Sequence, residues 1–207
     1  TALAAVGEDG VRMYTAPPII ADRSGLARLQ ARIWADDDLR IMTARRMYAL
    51  RLGEVLPHRD LNVLRGIEGA RVKESYAIWA QRLGIDWQGR RYDRTAPMSA
   101  DLPNQALNHA ASAVEAAAAI AVCATSTIPQ LGFIHEDPGQ SFVLDIADLY
   151  RDTITIACAF KAAKQVIDTP TENIERVTRR LTGRELAKRK IVPDMIERIK
   201  ALIEGRD

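Results

Sequence analysis

Four side chains in this sequence have the types and the spacing of a divalent-metal site: Glu68, His135, Asp145 and Asp148. Asp145 and Asp148 lie three residues apart in the apolar run SFVLDIADLYRDTITIACAF, and on a helix they share one face. Aspartate is a poor helix former, and this acidic stripe is narrower than the polar face of a solvated helix. The pattern therefore indicates carboxylates that point into a mostly buried cleft.

Glu68 lies in the helical stretch LRGIEGARVKESY, close to Gly66 and Gly69. Each glycine costs about 1 kcal/mol relative to alanine inside a helix, so something must offset that cost. Glycines let a backbone, a metal shell or a phosphate come close, which suits a metal ligand beside them. The alternative is an ordinary ion pair of Glu68 with Arg65 or Lys73.

His135 lies where the apolar run LGFI meets the loop EDPGQS, and we expect Ser141 to cap the helix that follows. A single histidine at such a place is more often structural than a ligand. Beside carboxylates, however, a neutral imidazole suits a divalent ion, and nitrogen favours Mn2+ somewhat over Mg2+. One histidine without a thiolate argues against structural zinc. His58 and His109 have no comparable neighbours and are expected to be structural or exposed.

Basic residues surround the predicted acidic helices in sequence: Arg65, Arg71, Lys73, Arg82, Arg90, Arg91, Arg94 and Arg151. Any one of them is more simply explained as part of a solvated surface, and a net charge of +2 does not require a nucleic-acid partner. As a group they suit a phosphodiester that the acids would otherwise repel, and Tyr92 adds an aromatic face for a base.

Hydrophobic periodicity predicts a mainly α protein. Asp22 or Ser24 is expected to begin a helix through Trp34. The three aspartates at 36–38 are expected to begin a second helix, which forms a hairpin with the first. Asp60 is expected to begin a long helix from Leu61 to about Leu83. An alanine-rich helix, the helix of Asp145 and Asp148, and three shorter helices follow, with a break expected at Gly183.

The first sixteen residues differ from the rest, because TALAAV and VRMY flank the turn GEDG and predict a β-hairpin. An isolated hairpin is only marginally stable, and there is no initiating methionine. We therefore expect a remnant of a truncated N-terminal β domain at 1–16, a linker at 17–22 and an α-helical catalytic domain at 23–207.

Cysteine usage indicates a reducing, cytoplasmic setting, because Cys123 and Cys158 lie in apolar helical segments without a Cys-x-x-Cys spacing. The stretch 106–124 is the single candidate for a membrane span in the sequence. His109 and Glu115 interrupt it, so we expect a buried core helix and no membrane partner.

Read in order, the segments RGIEG, WQGRRYD, NQALNHA, GFIH and SFVLDIAD resemble the CRISPR adaptation integrases that insert new spacers, most closely the subtype I-E branch. The resemblance covers nearly the whole chain. It implies an N-terminal β domain before a helical catalytic domain. It also implies an endonuclease and integrase in which a 3′ hydroxyl attacks a DNA phosphodiester.

The resemblance also assigns roles to residues. As ligands of Mg2+ or Mn2+ it implies Glu68, His135 and Asp148, and it places Asp145 beside them as a fourth catalytic residue. As DNA contacts it implies Arg65, Tyr92 and Arg151. Its implied partners are prespacer and CRISPR-repeat DNA, a second copy of the chain and a small ferredoxin-like protein. The sequence departs from the pattern near Glu115, where a tyrosine is expected, and in the acidic loop after His135.

Two other functions fit the same residues. In a non-enzymatic helical DNA-binding or assembly module, the acidic stripe would be a polar network between helices. In a general metal-dependent phosphodiesterase, water would replace the 3′ hydroxyl and no joined DNA would form. Sensitivity to a chelator separates the first alternative from the integrase, and the reaction product separates the second.

Overall fold

The structure is a computed structural model that describes residues 4–6, 13–15, 25–91 and 100–205. It is mainly helical, as predicted. Over these residues the α-helices are α1 Leu26–Ala35, α2 Asp37–Leu52, α3 Leu61–Leu83, α4 Leu102–Ala124, α5 Ser141–Asp148, α6 Ala157–Asp168, α7 Ile174–Lys188 and α8 Ile191–Glu204. A π-helix, Arg151–Ile156, lies between α5 and α6.

Two short strands, β1 Ala4–Val6 and β2 Met13–Thr15, pair in antiparallel orientation with Ala5 opposite Tyr14. The predicted turn between them and the predicted linker at 17–22 lie outside the described residues. The interpretation of the two strands as the remnant of a larger β domain stays a prediction.

Aspartates begin α2 and α3 as the sequence predicts. Asp36 Oδ1 accepts a hydrogen bond of 3.0 Å from the Leu39 amide at the start of α2. Asp60 Oδ1 accepts one of 2.7 Å from the Asn62 amide at the start of α3. The end of α2 is fixed by Gly53, whose φ of 75° is the left-handed conformation that glycine adopts most easily. Asp22 and Ser24, the expected caps of α1, lie outside the described residues.

The chain forms two compact units that are discontinuous in sequence. Unit 1 comprises Thr1–Gly66, Glu115–Leu149 and Lys190–Asp207, whereas unit 2 comprises Ile67–Val114 and Tyr150–Arg189. Helices α3 and α4 therefore each contribute residues to both units.

In unit 1, helices α1, α2 and α8 pack together around an apolar core. Its buried side chains include Leu26, Ala44, Met47, Tyr48, Leu64, Phe133, Phe142, Ile146, Met195 and Ile199. The buried Gln30 holds the loop before α5, because its side-chain amide donates to Ile128 O and Leu131 O, and its Oε1 accepts from the Ile128 amide. Since all three bonds join α1 to one loop, they fix the segment that leads to His135.

In unit 2, the core joins the later part of α3, the first part of α4, and α6 and α7. Three aromatic rings lie at its centre: the Trp87 ring centroid is 5.3 Å from those of Tyr76 and Phe160. Such tilted and edge-to-face contacts are favourable beyond the area that they bury. This packing places the loop after α3 against α6.

The structure corrects three predicted details. The apolar run Ser141 to Phe160 is not one regular α-helix, because α5 ends at Asp148 and a turn at Leu149 and Tyr150 leads into the π-helix. At that point Thr155 N donates to Tyr150 O. Ser141 does not cap α5, because Gln140 is the N-cap residue and the Ser141 hydroxyl donates to Asp137 O. Gly183 does not break α7, which runs through it to Lys188.

Helix α4 is the one described helix that is long and apolar enough to cross a membrane, and 56% of its most apolar window is buried within the protein. Length and composition do not distinguish a core helix from a membrane span, and the core helices of many proteins meet the same criteria. Cys123 and Cys158 are both free and buried. Burial raises the pKa of the Cys158 thiol, which makes it a weak nucleophile.

Candidate metal centre

Asp145 is fully buried and accepts hydrogen bonds through both carboxylate oxygens. Its Oδ2 accepts from the amides of Phe133 and Ile134. Its Oδ1 accepts from the His135 amide at 2.9 Å and from His135 Nδ1 at 2.7 Å. A buried carboxylate is stable when N–H groups surround it in this way. Asp145 therefore fixes both the loop backbone and the imidazole ring.

The contact with Asp145 determines which ring nitrogen of His135 carries the proton. Because Nδ1–H donates to the carboxylate, Nε2 carries the lone pair of the neutral imidazole. His135 Nε2 lies 3.7 Å from Asp148 Oδ2. A divalent ion bonds to nitrogen and oxygen donors at about 2.1 Å, so donors less than about 4.2 Å apart can share one ion. The two atoms therefore fit a common ion.

Asp148 lies at the end of α5 and is also close to an arginine. Arg51 Nη1 is 3.4 Å from Asp148 Oδ2, the oxygen that faces His135. The Arg51 side chain is 4% exposed, whereas that of Asp148 is 18% exposed. Solvent therefore screens this ion pair weakly, and the guanidinium contributes a cation at the edge of the candidate site.

A close approach at Gly132 brings the loop against α5. A Cβ atom built at Gly132 would lie 2.5 Å from Ser141 Cβ and 3.0 Å from Asp145 Oδ2. Only glycine fits there without a backbone shift, because real Cβ atoms do not approach other atoms so closely. Sequence reasoning did not single out Gly132. Its position next to Phe133 in the GFIH segment was the signal available.

Two arginines hold the same loop from other helices. Arg65 of α3 donates to Ile134 O, and Arg40 Nε of α2 donates to Phe133 O at 3.3 Å. Arg40 also pairs with Glu136 at 3.3 Å. Arg65 is predicted to contact DNA, and that role stays a prediction. Its observed contact fixes the backbone immediately before His135.

Glu68, the remaining predicted ligand, belongs to unit 2. Its carboxylate lies 3.8 Å from Arg151 Nη1, and the two side chains are 16% and 36% exposed. This ion pair involves neither Arg65 nor Lys73, the partners that the alternative interpretation named. The contact of Arg151 with DNA stays a prediction. Arg151 is the first residue of the π-helix, so its position depends on the changed helical register there.

Among the residues described, no group of three or more His, Cys, Asp and Glu side chains has a geometry that could hold a metal ion. His135 and Asp148 are a pair of donors within unit 1, and the predicted three-ligand set with Glu68 stays a prediction. A pair is enough in physical terms, because Mg2+ and Mn2+ commonly keep waters and take substrate phosphates as further ligands.

The segment before Tyr92 is anchored to α4, although Tyr92 itself lies outside the described residues. Arg90 donates to Asn104 Oδ1 at 3.0 Å and to Asn108 Oδ1 at 2.6 Å. Asn104 is buried, and it also accepts from the Arg91 amide and donates to Gly89 O. The buried Asn104 thus fixes a basic segment in unit 2. Sequence reasoning did not identify it.

Comparison with known proteins identifies the family of the chain. A sequence profile described as CRISPR associated protein Cas1 matches residues 22–162. The CRISPR-associated endonuclease Cas1 of Escherichia coli K12 is 35% identical over 194 residues, which is 93% of this chain and 64% of that protein. A Thermus thermophilus protein, CRISPR-associated endonuclease Cas1 2, is 36% identical over 97% of this chain and 61% of its own length. The chain therefore spans less than two thirds of these relatives.

Solved structures give the same result. The crystal structure of the TtCas1-DNA complex superposes with a TM-score of 0.84 and 33% identity, covering 99% of this chain and 75% of that one. A casposase bound to its integration product has a TM-score of 0.76 and 15% identity over 100% of this chain and 72% of that one, which shows a shared fold alone. The chain therefore belongs to the Cas1 family.

Proposed function

We propose that this chain carries the catalytic part of a metal-dependent DNA endonuclease and integrase of CRISPR adaptation. The observation that carries the proposal is the contact of Asp145 with His135, which leaves Nε2 beside Asp148 Oδ2 at 3.7 Å. One buried carboxylate thus orients an imidazole through Nδ1, and a second, partly exposed carboxylate faces its Nε2 atom. Active sites that bind divalent ions use this combination of a ligand pair and an orienting acid.

DNA is the substrate in this proposal. The similar relatives are named CRISPR-associated endonucleases, and one similar structure is a complex with DNA. Following the sequence resemblance, the proposed DNAs are a prespacer and a CRISPR repeat. The proposed assembly contains two copies of the chain and a small ferredoxin-like protein in the cytoplasm, with a larger N-terminal β domain, as in the subtype I-E branch.

In the proposed reaction, Asp145 positions His135, while His135 and Asp148 hold Mg2+ or Mn2+ with Glu68 as the third ligand implied by the resemblance. The bound ion would neutralise charge on the phosphoryl group and lower the pKa of the attacking 3′ hydroxyl. Arg65, Tyr92 and Arg151 are the proposed DNA contacts. The 3′ oxygen forms the new ester bond while the target strand leaves as a 3′ hydroxyl, so no covalent protein intermediate is required.

The test is strand transfer by Asp148→Ala. We expect joining of a labelled duplex to a plasmid in Mn2+ to fall by at least about 100-fold, because one of two adjacent donors is lost. Asp168→Ala is the matched control, since Asp168 is an exposed aspartate of α6 that pairs with Lys164. Circular dichroism checks that both variants keep the helical fold. Joining by Asp148→Ala at the parental rate would contradict the assignment.

A duplex with dideoxy 3′ ends separates the competing functions. An integrase loses joined product both with this duplex and in EDTA, because it needs the 3′ hydroxyl and the ion. A general phosphodiesterase cleaves the labelled duplex whether its 3′ ends are dideoxy or ordinary, and it forms no joined product. A binding module still binds the labelled duplex in EDTA, and it forms neither cleaved nor joined DNA under any condition.

A further inference from the structure

We propose that Arg51 is a positioning residue that competes with the divalent ion for Asp148 and so lowers the affinity of the site for metal. The inference rests on the proposed function, because it assumes that His135 and Asp148 hold an ion. Arg51 belongs to neither the predicted metal ligands nor the predicted DNA contacts. Its role follows from its position in unit 1.

Arg51 contacts the oxygen that the ion would use. Its Nη1 lies 3.4 Å from Asp148 Oδ2, and that same oxygen lies 3.7 Å from His135 Nε2. Asp145 contacts the other ring nitrogen, Nδ1, so Nε2 is the ring atom of His135 that faces Asp148. A guanidinium and a metal ion would therefore meet at one oxygen.

Arg51 and Arg40 project from the same face of α2. Arg51 lies in the last turn of α2, eleven residues after Arg40. Eleven residues make about three helical turns, so the two side chains leave the same face of the helix. Arg40 contacts Phe133 O and Glu136 of the loop before α5, while Arg51 contacts the end of α5. One face of α2 thus spans both segments of the candidate site.

Burial gives this contact its effect on metal affinity. The Arg51 side chain is 4% exposed, so water and salt screen its charge weakly. A second cation at the same oxygen is repelled by the first, and a buried arginine resists losing an acid that pairs with it. Removing the positive charge should therefore tighten metal binding. With Arg51 present, the site binds the ion weakly without DNA and more tightly once a further negative ligand, such as a DNA phosphate, is added.

Isothermal titration of Mn2+ into purified Arg51→Met tests this inference. We expect the Kd to fall about tenfold relative to the parent, because a charge that opposes the ion is removed. Arg51→Lys keeps a cation, and its Kd should stay within about threefold of the parental value. An unchanged or higher Kd in a folded Arg51→Met protein would overturn the proposal.

Arg45→Met is the matched control. Arg45 also lies on α2, but its guanidinium donates to a backbone carbonyl, Leu56 O, at 2.9 Å. Its loss should lower the melting temperature without changing the Kd for Mn2+. A Kd that fell equally in Arg45→Met would assign the effect to loosening of α2 and reject competition by Arg51.

A measurement on the parental protein covers the case in which Arg51→Met does not fold. In 15N NMR the Nε–Hε signal of Arg51 is assigned by its disappearance in Arg51→Lys. Titration with Mg2+ should shift this signal with the same Kd that calorimetry gives for Mg2+. A site that binds Mg2+ without any response of this signal would overturn the inference alone. A parent that binds neither Mg2+ nor Mn2+ would reject the proposed function and the inference together.

Discussion

Asp145 and Asp148 show how two identical side chains on one short helix take different roles. Asp145 faces a loop whose three amides and one imidazole donate to it, so its charge is used to hold the loop. Asp148 lies one turn later, is partly exposed and meets Arg51 and His135. Asp148 is the one of the two that is proposed to hold an ion. The environment of each carboxylate determines its role, because the residue type is the same.

Gly132 gives a sharp test of how the loop is held. In Gly132→Ala, the new Cβ would lie 2.7 Å from the backbone carbon of Ser141, so the loop and α5 must separate. We expect the free energy of unfolding to fall by roughly 1–3 kcal/mol, as in other overpacked sites. Strand transfer should fall too, because Asp145 loses its alignment with His135. Urea denaturation and the joining assay measure the two effects.

The matched control is Gly139→Ala in the same loop. The nearest atom to a Cβ at Gly139 is Asp137 Oδ1 at 3.4 Å, which is close to ordinary contact. Its stability should stay within about 0.5 kcal/mol of the parental value. Equal stability of the two variants would show that the close approach at Gly132 does not constrain the loop.

His109 provides a prediction about pH. Burial lowers the pKa of this histidine in the folded chain; Glu175 raises it and Arg179 lowers it further. The unfolded chain therefore binds the proton more readily, and stability is lost as the pH falls from about 6.5 towards the folded pKa. His109→Gln should show a flatter decline between about pH 7.5 and 5.5 in urea denaturation. An equally steep decline in both proteins would contradict this account.

Part of the candidate site was predictable from residue types alone. The apolar run with two aspartates, and a histidine before it, predicted side chains in a buried cleft, and the structure brings His135, Asp145 and Asp148 together. The acceptor role of Asp145 was not predictable, because its donors are mostly backbone amides that every residue except proline has. The contact of Gly132 with Ser141, nine residues later, requires coordinates.

Among the elements, α3 was predicted at both ends, because Asp60 is a good cap and an apolar period runs to Leu83. The π-helix was not, since it leads into the almost wholly apolar stretch ITIACAF, where the phase shift of a wider turn cannot be seen in the hydrophobic pattern. The expected cap Ser141 was wrong because the Phe142 amide donates to Pro129 O and the Ser141 hydroxyl bonds elsewhere. Gly183 is tolerated because one glycine costs only about 1 kcal/mol.

The glycines of α3 allow a test at the scale of the helix. A Cβ at Gly69 would meet no described atom within 4 Å, so Gly69→Ala should stabilise the fold by up to about 1 kcal/mol. The sequence suggests that these glycines let a backbone, a metal shell or a phosphate come close; if that group is a DNA phosphate, duplex affinity should fall at the same time. Thermal denaturation and fluorescence anisotropy measure the two quantities.

Gly183→Ala of α7 is the control for that experiment, because a Cβ at Gly183 also meets nothing within 4 Å among the described atoms. It should give a similar gain in stability with unchanged affinity for duplex DNA. Equal affinity of the parent, Gly69→Ala and Gly183→Ala would reject a close approach of DNA at α3.

At the scale of the whole molecule, the helical class was predictable from periodicity, whereas the division into two units was not. Helices α3 and α4 are each continuous in sequence pattern, yet each belongs partly to one unit and partly to the other. Hydrophobic spacing shows which face of a helix is buried but not which partner covers it. The units therefore became visible only when the contacts were known.

The alternation of the two units along the chain affects how the protein emerges from the ribosome. All of unit 2 is synthesised by residue 189, whereas unit 1 still lacks 190–207, which includes α8. Because α8 packs on α1 and α2, those helices leave the exit tunnel long before their covering helix does. During translation the nascent chain thus exposes apolar surface of α1 and α2 until α8 has emerged, so the completion of unit 1 waits for 190–207.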